Sequence, residues 1–168
     1  MGSMRVEVTA LLEVRRPGSS TIGIGGYTYY WSGCSIGHHL PGVATAISIR
    51  LKPSIVEVIP VNEQIIVIRL KLVLGFMSLI AVYAATDVCK LDLKEMFFAK
   101  LVFVLDSCPW RSIHIVFGDF SVVSGCDRAG YEMSACPHGS GADTSSENGL
   151  LFQDFGRSQK LKIFGSWH

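Results

Sequence analysis

Three stretches decide the fold: Phe76-Met-Ser-Leu-Ile-Ala-Val-Tyr83, Asp92-Leu-Lys-Glu-Met-Phe-Phe-Ala-Lys-Leu-Val-Phe-Val104 and Ile113-His-Ile-Val-Phe-Gly-Asp-Phe-Ser121. The first is apolar almost throughout, the pattern of a strand covered on both faces. In the second, Leu93, Met96, Phe97, Leu101 and Val104 recur at helical intervals. Asp92 and Glu95 precede that stripe at the spacing of an N-cap and its reciprocal N3 carboxylate. Pro109 ends the helix, and Ile113 to Phe117 returns to strand composition. Strand, helix and strand in this order form a crossover unit, whose two strands are neighbours in a layered α/β sheet.

Upstream, Val6, Val8 and Ala10 alternate with Glu7 and Thr9, and the run continues through Leu11-Leu12 to Glu13. This period of two predicts a strand, closed by Arg15-Arg16-Pro17-Gly18. Ser19 to Gly26 is expected to be loop. Its Gly23-x-Gly25-Gly26 cluster does not open a helix, which favours turn chemistry over a phosphate cradle. Tyr27–Trp31, Val43–Ile49, Ile55–Ile59 and Gln64–Leu72 are further strand candidates, punctuated by Pro53 and Pro60-Val61-Asn62, as in an antiparallel meander. Downstream, Ser134 to Asn148 is a Gly/Ser-rich connection. Leu150 to Leu161 reads as a second helix, and Lys162-Ile163-Phe164 begins another strand. A strand that only begins near the end of the chain predicts a truncated domain.

At 168 residues the chain suits one domain with a buried core, against a prior of roughly 150 residues per domain. A hydrophobic content of 49%, a charged content of 17% and a mean hydropathy of +0.37 exclude intrinsic disorder as the state of the whole chain. A net charge of +1 excludes a broad polybasic nucleic-acid surface but not a small phosphate site. The longest uncharged apolar run, Leu72–Thr86, falls short of the ~18–20 residues of a spanning helix, so no membrane partner is expected. The N-terminal stretch lacks the apolar core of a signal peptide, which predicts an intracellular protein, nuclear or cytoplasmic. Cys34, Cys89, Cys108, Cys126 and Cys136 include no CxxC pair. They read as reduced thiols, with Cys126, Cys136 and His138 a much weaker zinc trio. His114, alternating within an apolar strand, reads as structural.

The chemistry centres on two carboxylates. Asp119 stands just past an apolar strand, where α/β folds place their sites, and Gly118 lets the backbone turn there. A turn-forming Asp is the competing reading. Glu13 has the same placement at the end of the first strand. Two such carboxylates can share one Mg²⁺, which takes one or two protein carboxylates and completes its shell with water and phosphate.

Tyr83-Ala-Ala-Thr86, followed by a helix and then Gly118-Asp-Phe-Ser121, resembles the endonuclease/exonuclease/phosphatase family. The chain is most similar to the apurinic-endonuclease-like domains of non-LTR retrotransposons and the craniofacial development protein 2-like chains related to them. The likeness extends through Leu12–Gly18, Gly26–Gly33, Gly37–Leu40, Gly42–Ala44, Pro137–Gly141 and Phe155–Trp167. It implies a partial two-sheet α/β sandwich, DNase I-like, truncated at both ends, within a single incomplete domain spanning 1–168. It also implies metal-dependent hydrolysis of nucleic-acid phosphodiesters, with Mg²⁺ as cofactor and DNA as partner. Glu13 matches the family's metal-binding Glu, Tyr83 its active-site Tyr, and Asp119 the Asp that orients the nucleophile. Ser121 stands where the family has a phosphate-holding Asn, Leu12 where it has Gln, and Ala85 where it has Pro. The family's opening strand would precede Val6, and the closing strands that carry its Asp-His pair would follow His168. The resemblance therefore implies a retroelement-derived, catalytically impaired endonuclease-like domain. The alternatives are a non-enzymatic module that binds a protein partner at exposed sheet edges, or a remnant without a selected function.

Overall fold

The computed structural model describes residues 6–35, 41–84, 89–123, 134 and 145–163. His38-His39, Cys126, Cys136, His138 and the strand expected to run on into Phe164 lie outside the described residues. The fold is mixed α/β, with two four-stranded sheets and two helices. The chain divides into two compact units, Met1–Tyr83 with Cys108–Asp119, and Ala84–Ser107 with Phe120–His168.

The first unit holds all the strands. β1 (Val8–Leu12), β2 (Ser19–Ile24), β3 (Tyr27–Gly33) and β4 (Gly42–Ser48) form an antiparallel sheet in the order β1-β4-β3-β2. β5 (Ile55–Asn62), β6 (Ile65–Leu72), β7 (Gly75–Tyr83) and β8 (Ile113–Asp119) form the second, in chain order. Within it β5, β6 and β7 form an antiparallel meander, whereas β7 and β8 are parallel. Of the meander expected over Val43–Ile49, Ile55–Ile59 and Gln64–Leu72 only the last two strands pair, because β4 belongs to the first sheet. That parallel pair is what the strand–helix–strand pattern demands, since two parallel neighbours cannot be joined by a tight turn.

The two sheets share one apolar layer. Ile47 from β4 packs with Ile68, Leu70 and Leu79. Val43, four residues back on the same face, packs with Ile66 and Ala81. Ile65, Val67, Ile80 and Val82, on the opposite face of the second sheet, are buried as well. β6 and the second half of β7 are thus covered on both faces, as their continuous apolarity predicts. Phe76, at the start of β7, is exposed instead.

Several sequence expectations are corrected. Ser19–Ile24 is an edge strand and not a loop, paired along its length with β3. All six of its residues are exposed, so no buried face imposes the apolar alternation by which a strand is read. The turn reading of Gly25 and Gly26 holds, because both take positive φ (61° and 83°) between β2 and β3. β5 runs on through Pro60, where the register shifts; a strand tolerates Pro at an edge and at a bulge, and this position is both.

The second unit holds α1 (Leu91–Asp106) and α2 (Glu147–Ser158). Lys90, and not Asp92, is the N-cap of α1, and no side chain caps it. Asp92 already lies in the first turn and accepts from the Leu93 amide at 3.1 Å. Its charge there suits the positive end of the helix dipole. α2 begins three residues before the expected Leu150, because Ser146 caps it by accepting from the Gly149 amide at 3.1 Å. Beyond α2, Lys162 and Ile163 form no strand; the Ile163 amide donates to the Ser134 carbonyl at 2.8 Å. The helices are tied by Lys94 Nζ and Glu147 Oε2 at 2.6 Å, with the Lys94 side chain 2% exposed. Phe98 and Phe155 add a ring contact at 5.7 Å.

β8 depends on one glycine. Gly118 has φ 139°, and a Cβ there would collide with the Val82 carbonyl oxygen on β7. Strain and overpacking combine, so Gly118→Ala is expected to cost about 3 kcal/mol in urea unfolding. Gly25 has open space around it and a turn conformation that Asn accepts, so Gly25→Asn is expected to cost less than about 1 kcal/mol in the same measurement.

Candidate functional site

Glu13, Tyr83 and Asp119 meet at one end of the strand unit. Tyr83 is the last residue of β7 and Asp119 the last of β8, and the parallel register places them side by side. Asp119 therefore closes the strand and does not lie beyond it. Both share the face that carries Ala81 and Phe117, the face turned toward the first sheet. Glu13 arrives from that first sheet, directly after β1. The Tyr83 hydroxyl donates to Glu13 Oε1 at 3.3 Å, a long O–H···O contact between residues 70 apart in the chain.

Glu13 is held in a conformation that non-glycine residues seldom adopt, with φ 53°. The segment after it supplies the restraint. The Val14 amide donates to the Gly42 carbonyl at 3.0 Å, and Arg16 passes close over the end of β3. A Cβ on Gly42 would collide with the Val14 carbonyl oxygen, and one on Gly33 with that of Arg16. Two glycines on neighbouring strands thus form the seat that aims Glu13 at Tyr83. No motif marks this seat; its signal in the sequence is a glycine at the end of β3 and another at the start of β4, which become neighbours only in the sheet. Arg16 also lies over the Trp31 ring, its guanidinium carbon 5.8 Å from the ring centroid. Arg15 and Arg16, both exposed, bring positive charge to the acidic end.

The electrostatics follow from these contacts. Burial pushes the Tyr83 phenol above its ordinary 10.0, and the Glu13 charge, the hydrogen bond to Glu13 and the Asp119 charge all push the same way. Each disfavours a phenolate beside two carboxylates, so Tyr83 is a hydrogen-bond donor throughout the physiological range.

Ser121, the fourth expected site residue, belongs to the second unit. It too has positive φ (48°), and its carbonyl accepts from the buried Asn148 side chain at 3.1 Å. His114 occupies the other end of β8, within 2.8 Å of the Ser112 hydroxyl. This is the structural role expected for it. Cys34, Cys89 and Cys108 form no disulfides, in keeping with their reading as thiols.

The donor set fits a hard divalent cation. Glu13 and Asp119 offer carboxylate oxygens, and Mg²⁺ asks for one or two of these before water and phosphate complete its shell. Among the described residues no three His, Cys, Asp or Glu side chains converge on one metal position. No described helix is long and apolar enough to cross a membrane. No protein-family model matches the chain, and no curated protein matches it.

Because the folded-state pKa of Tyr83 lies above its unfolded value, the stability it contributes is fully present below about pH 10 and is lost as pH rises through the folded-state value. Absorbance titration against a Tyr83→Phe control is expected to place Tyr83 above 10.0. Glu13→Gln is expected to lower that midpoint without restoring it fully, since burial, the largest cause, remains.

Proposed function

We propose that the chain is a metal-dependent phosphodiesterase-like domain, derived from a retroelement endonuclease and catalytically impaired. The observation that carries this reading is the convergence of Glu13, Tyr83 and Asp119, the two acids marked in the sequence by their strand-end placement and the tyrosine by the resemblance alone. The partial DNase I-like sandwich implied by the resemblance belongs to the same proposal, as do an intracellular location and DNA as substrate. Two sheets that share an apolar layer are compatible with it.

Each residue has a chemical task within this reading. Tyr83 donates to Glu13 Oε1 and so orients a carboxylate that would hold a cation. Asp119, exposed at the strand end, accepts a hydrogen bond from the attacking water and aligns it with the phosphorus. Ser121, in the second unit, stands where the resemblance has a phosphate-holding Asn, and its hydroxyl is a single donor where an amide is a fixed fork. Arg15 and Arg16 attract the phosphodiester backbone to the acidic end. A bound divalent cation supplies charge neutralisation at the phosphate. Glu13 and Asp119 are the residues that would hold it.

Impairment is expected from the departures from the family pattern, with Leu12 in place of Gln, Ala85 in place of Pro and Ser121 in place of Asn. A weakened phosphate donor alone costs roughly 10²–10³ in rate. Slow nicking of supercoiled plasmid is therefore expected with Mg²⁺, abolished by EDTA and by either Glu13→Gln or Asp119→Asn. Nicking that persists unchanged in both variants would sink the assignment of the site.

One observation favours a second reading, a non-enzymatic module that binds a protein partner. β2 is an edge strand exposed at every position, and its unpaired backbone groups are a template for an added strand. A cooperatively folded protein that does not nick plasmid, but forms a stoichiometric complex insensitive to EDTA, would establish that reading instead.

A further inference from the structure

The end of the strand unit opposite Glu13, Tyr83 and Asp119 has a different surface. The β6–β7 hairpin turns there through Val73 and Leu74, which are 102% and 100% exposed. Phe76 (45%) follows the turn, and Trp110 (81%) precedes β8 at the same end. Lys71 pairs with Phe76 across the hairpin, and the Arg111 guanidinium lies 4.3 Å from the Trp110 ring centroid. The connection from β4 to β5 passes this end as well, bringing exposed Arg50 and Lys52.

The two ends differ in their balance of charge. Glu13 and Asp119 lie at the candidate-site end together with Arg15 and Arg16, and Glu63 precedes Gln64, whose carbonyl accepts from the Tyr83 amide at 2.9 Å. At the hairpin end of the unit, Glu57 is ion-paired with Arg69 at 2.6 Å, and Glu7 has one carboxylate oxygen buried. Arg50, Lys52, Lys71 and Arg111 thus lie at the same end of the unit as the exposed Val73 and Leu74. An eight-residue strand such as β6 separates the two ends by about 25 Å.

From this arrangement we propose that the hairpin end is a docking surface for an anionic lipid bilayer. Val73 and Leu74 enter the acyl boundary, Trp110 sits at headgroup depth, and the basic residues meet the lipid phosphates. A tip with no neighbour of its own chain stands clear of the protein surface. A fluid bilayer closes around such a tip from every side, whereas a protein partner would need a matching pocket. Tryptophan favours the membrane interface, and basic residues favour an anionic leaflet. A symmetric contact between two copies through this end would set these cations against their equals, which disfavours it. The expectation of no membrane partner concerned a spanning segment; docking at the surface requires none. This inference does not rest on the phosphodiesterase reading.

The test is co-sedimentation of the full chain with vesicles of phosphatidylcholine alone or mixed with phosphatidylserine, together with tryptophan emission. Binding to the mixed vesicles only is expected, with a blue shift that Trp110→Phe removes. Lys71→Gln and Arg111→Gln are each expected to weaken binding roughly fivefold. The double variant Val73→Ser, Leu74→Ser is expected to weaken it by about tenfold or more. These two side chains touch nothing, so unchanged circular dichroism and thermal unfolding will show that the fold is retained. The proposal is overturned by failure to bind the mixed vesicles or by binding indifferent to the Val73 and Leu74 substitutions. It is equally overturned by self-association that the same substitutions dissolve, or by retention on duplex DNA that the Lys71 and Arg111 substitutions abolish while vesicles do not compete.

Discussion

The apolar layer between the two sheets is the constraint on which the candidate site depends. Glu13 belongs to one sheet and Tyr83 and Asp119 to the other, so nothing local in the chain brings them together. Packing of Val43 and Ile47 against Ile66, Ile68, Leu70, Leu79 and Ala81 sets the spacing of the sheets. The ends of β1, β7 and β8 then converge as a consequence. Burial of such side chains is worth about 1.5–3 kcal/mol each. That is ample to hold Glu13 in a left-handed conformation costing about 1–2 kcal/mol.

Two close backbone approaches refine this placement. Gly118 lets β8 run against the Val82 carbonyl, which puts Asp119 beside Tyr83. Gly33 and Gly42 let the segment after Glu13 lie down across the ends of β3 and β4. In both cases the functional carboxylate follows from a missing Cβ elsewhere. The glycines are therefore as much part of the site as the acids, although they touch no substrate. A strand unit built this way is polarised. One end carries the candidate carboxylates, and the hairpin end presents exposed apolar side chains and basic residues.

Two of the four candidate residues carry a signal of their own in the sequence, because strand ends are readable. Glu13 and Asp119 each follow an apolar run and precede turn chemistry. Tyr83 and Ser121 entered only through resemblance, since a Tyr or Ser at a strand end carries no signal of its own. β2 was misread because its faces are both exposed and leave no period of two. The first turn of α1 was misplaced because Asp92 has capping chemistry but lies inside the helix. The start of α2 was missed because Ser146 sits in a Ser-rich stretch where every position can cap.

Sequence by itself determined the strands other than β2, the two helices, and the neighbouring of β7 and β8 through the crossover. These follow from periodicity and connectivity, which are local properties of the chain. Tertiary structure alone decided that Glu13 and Tyr83, 70 residues apart, share a hydrogen bond. It alone decided that Val73, Leu74 and Trp110 stand exposed at one end among basic neighbours. The reason is physical: an apolar side chain in a sequence can be core or surface with equal propriety, and only the register and stacking of the sheets settle which.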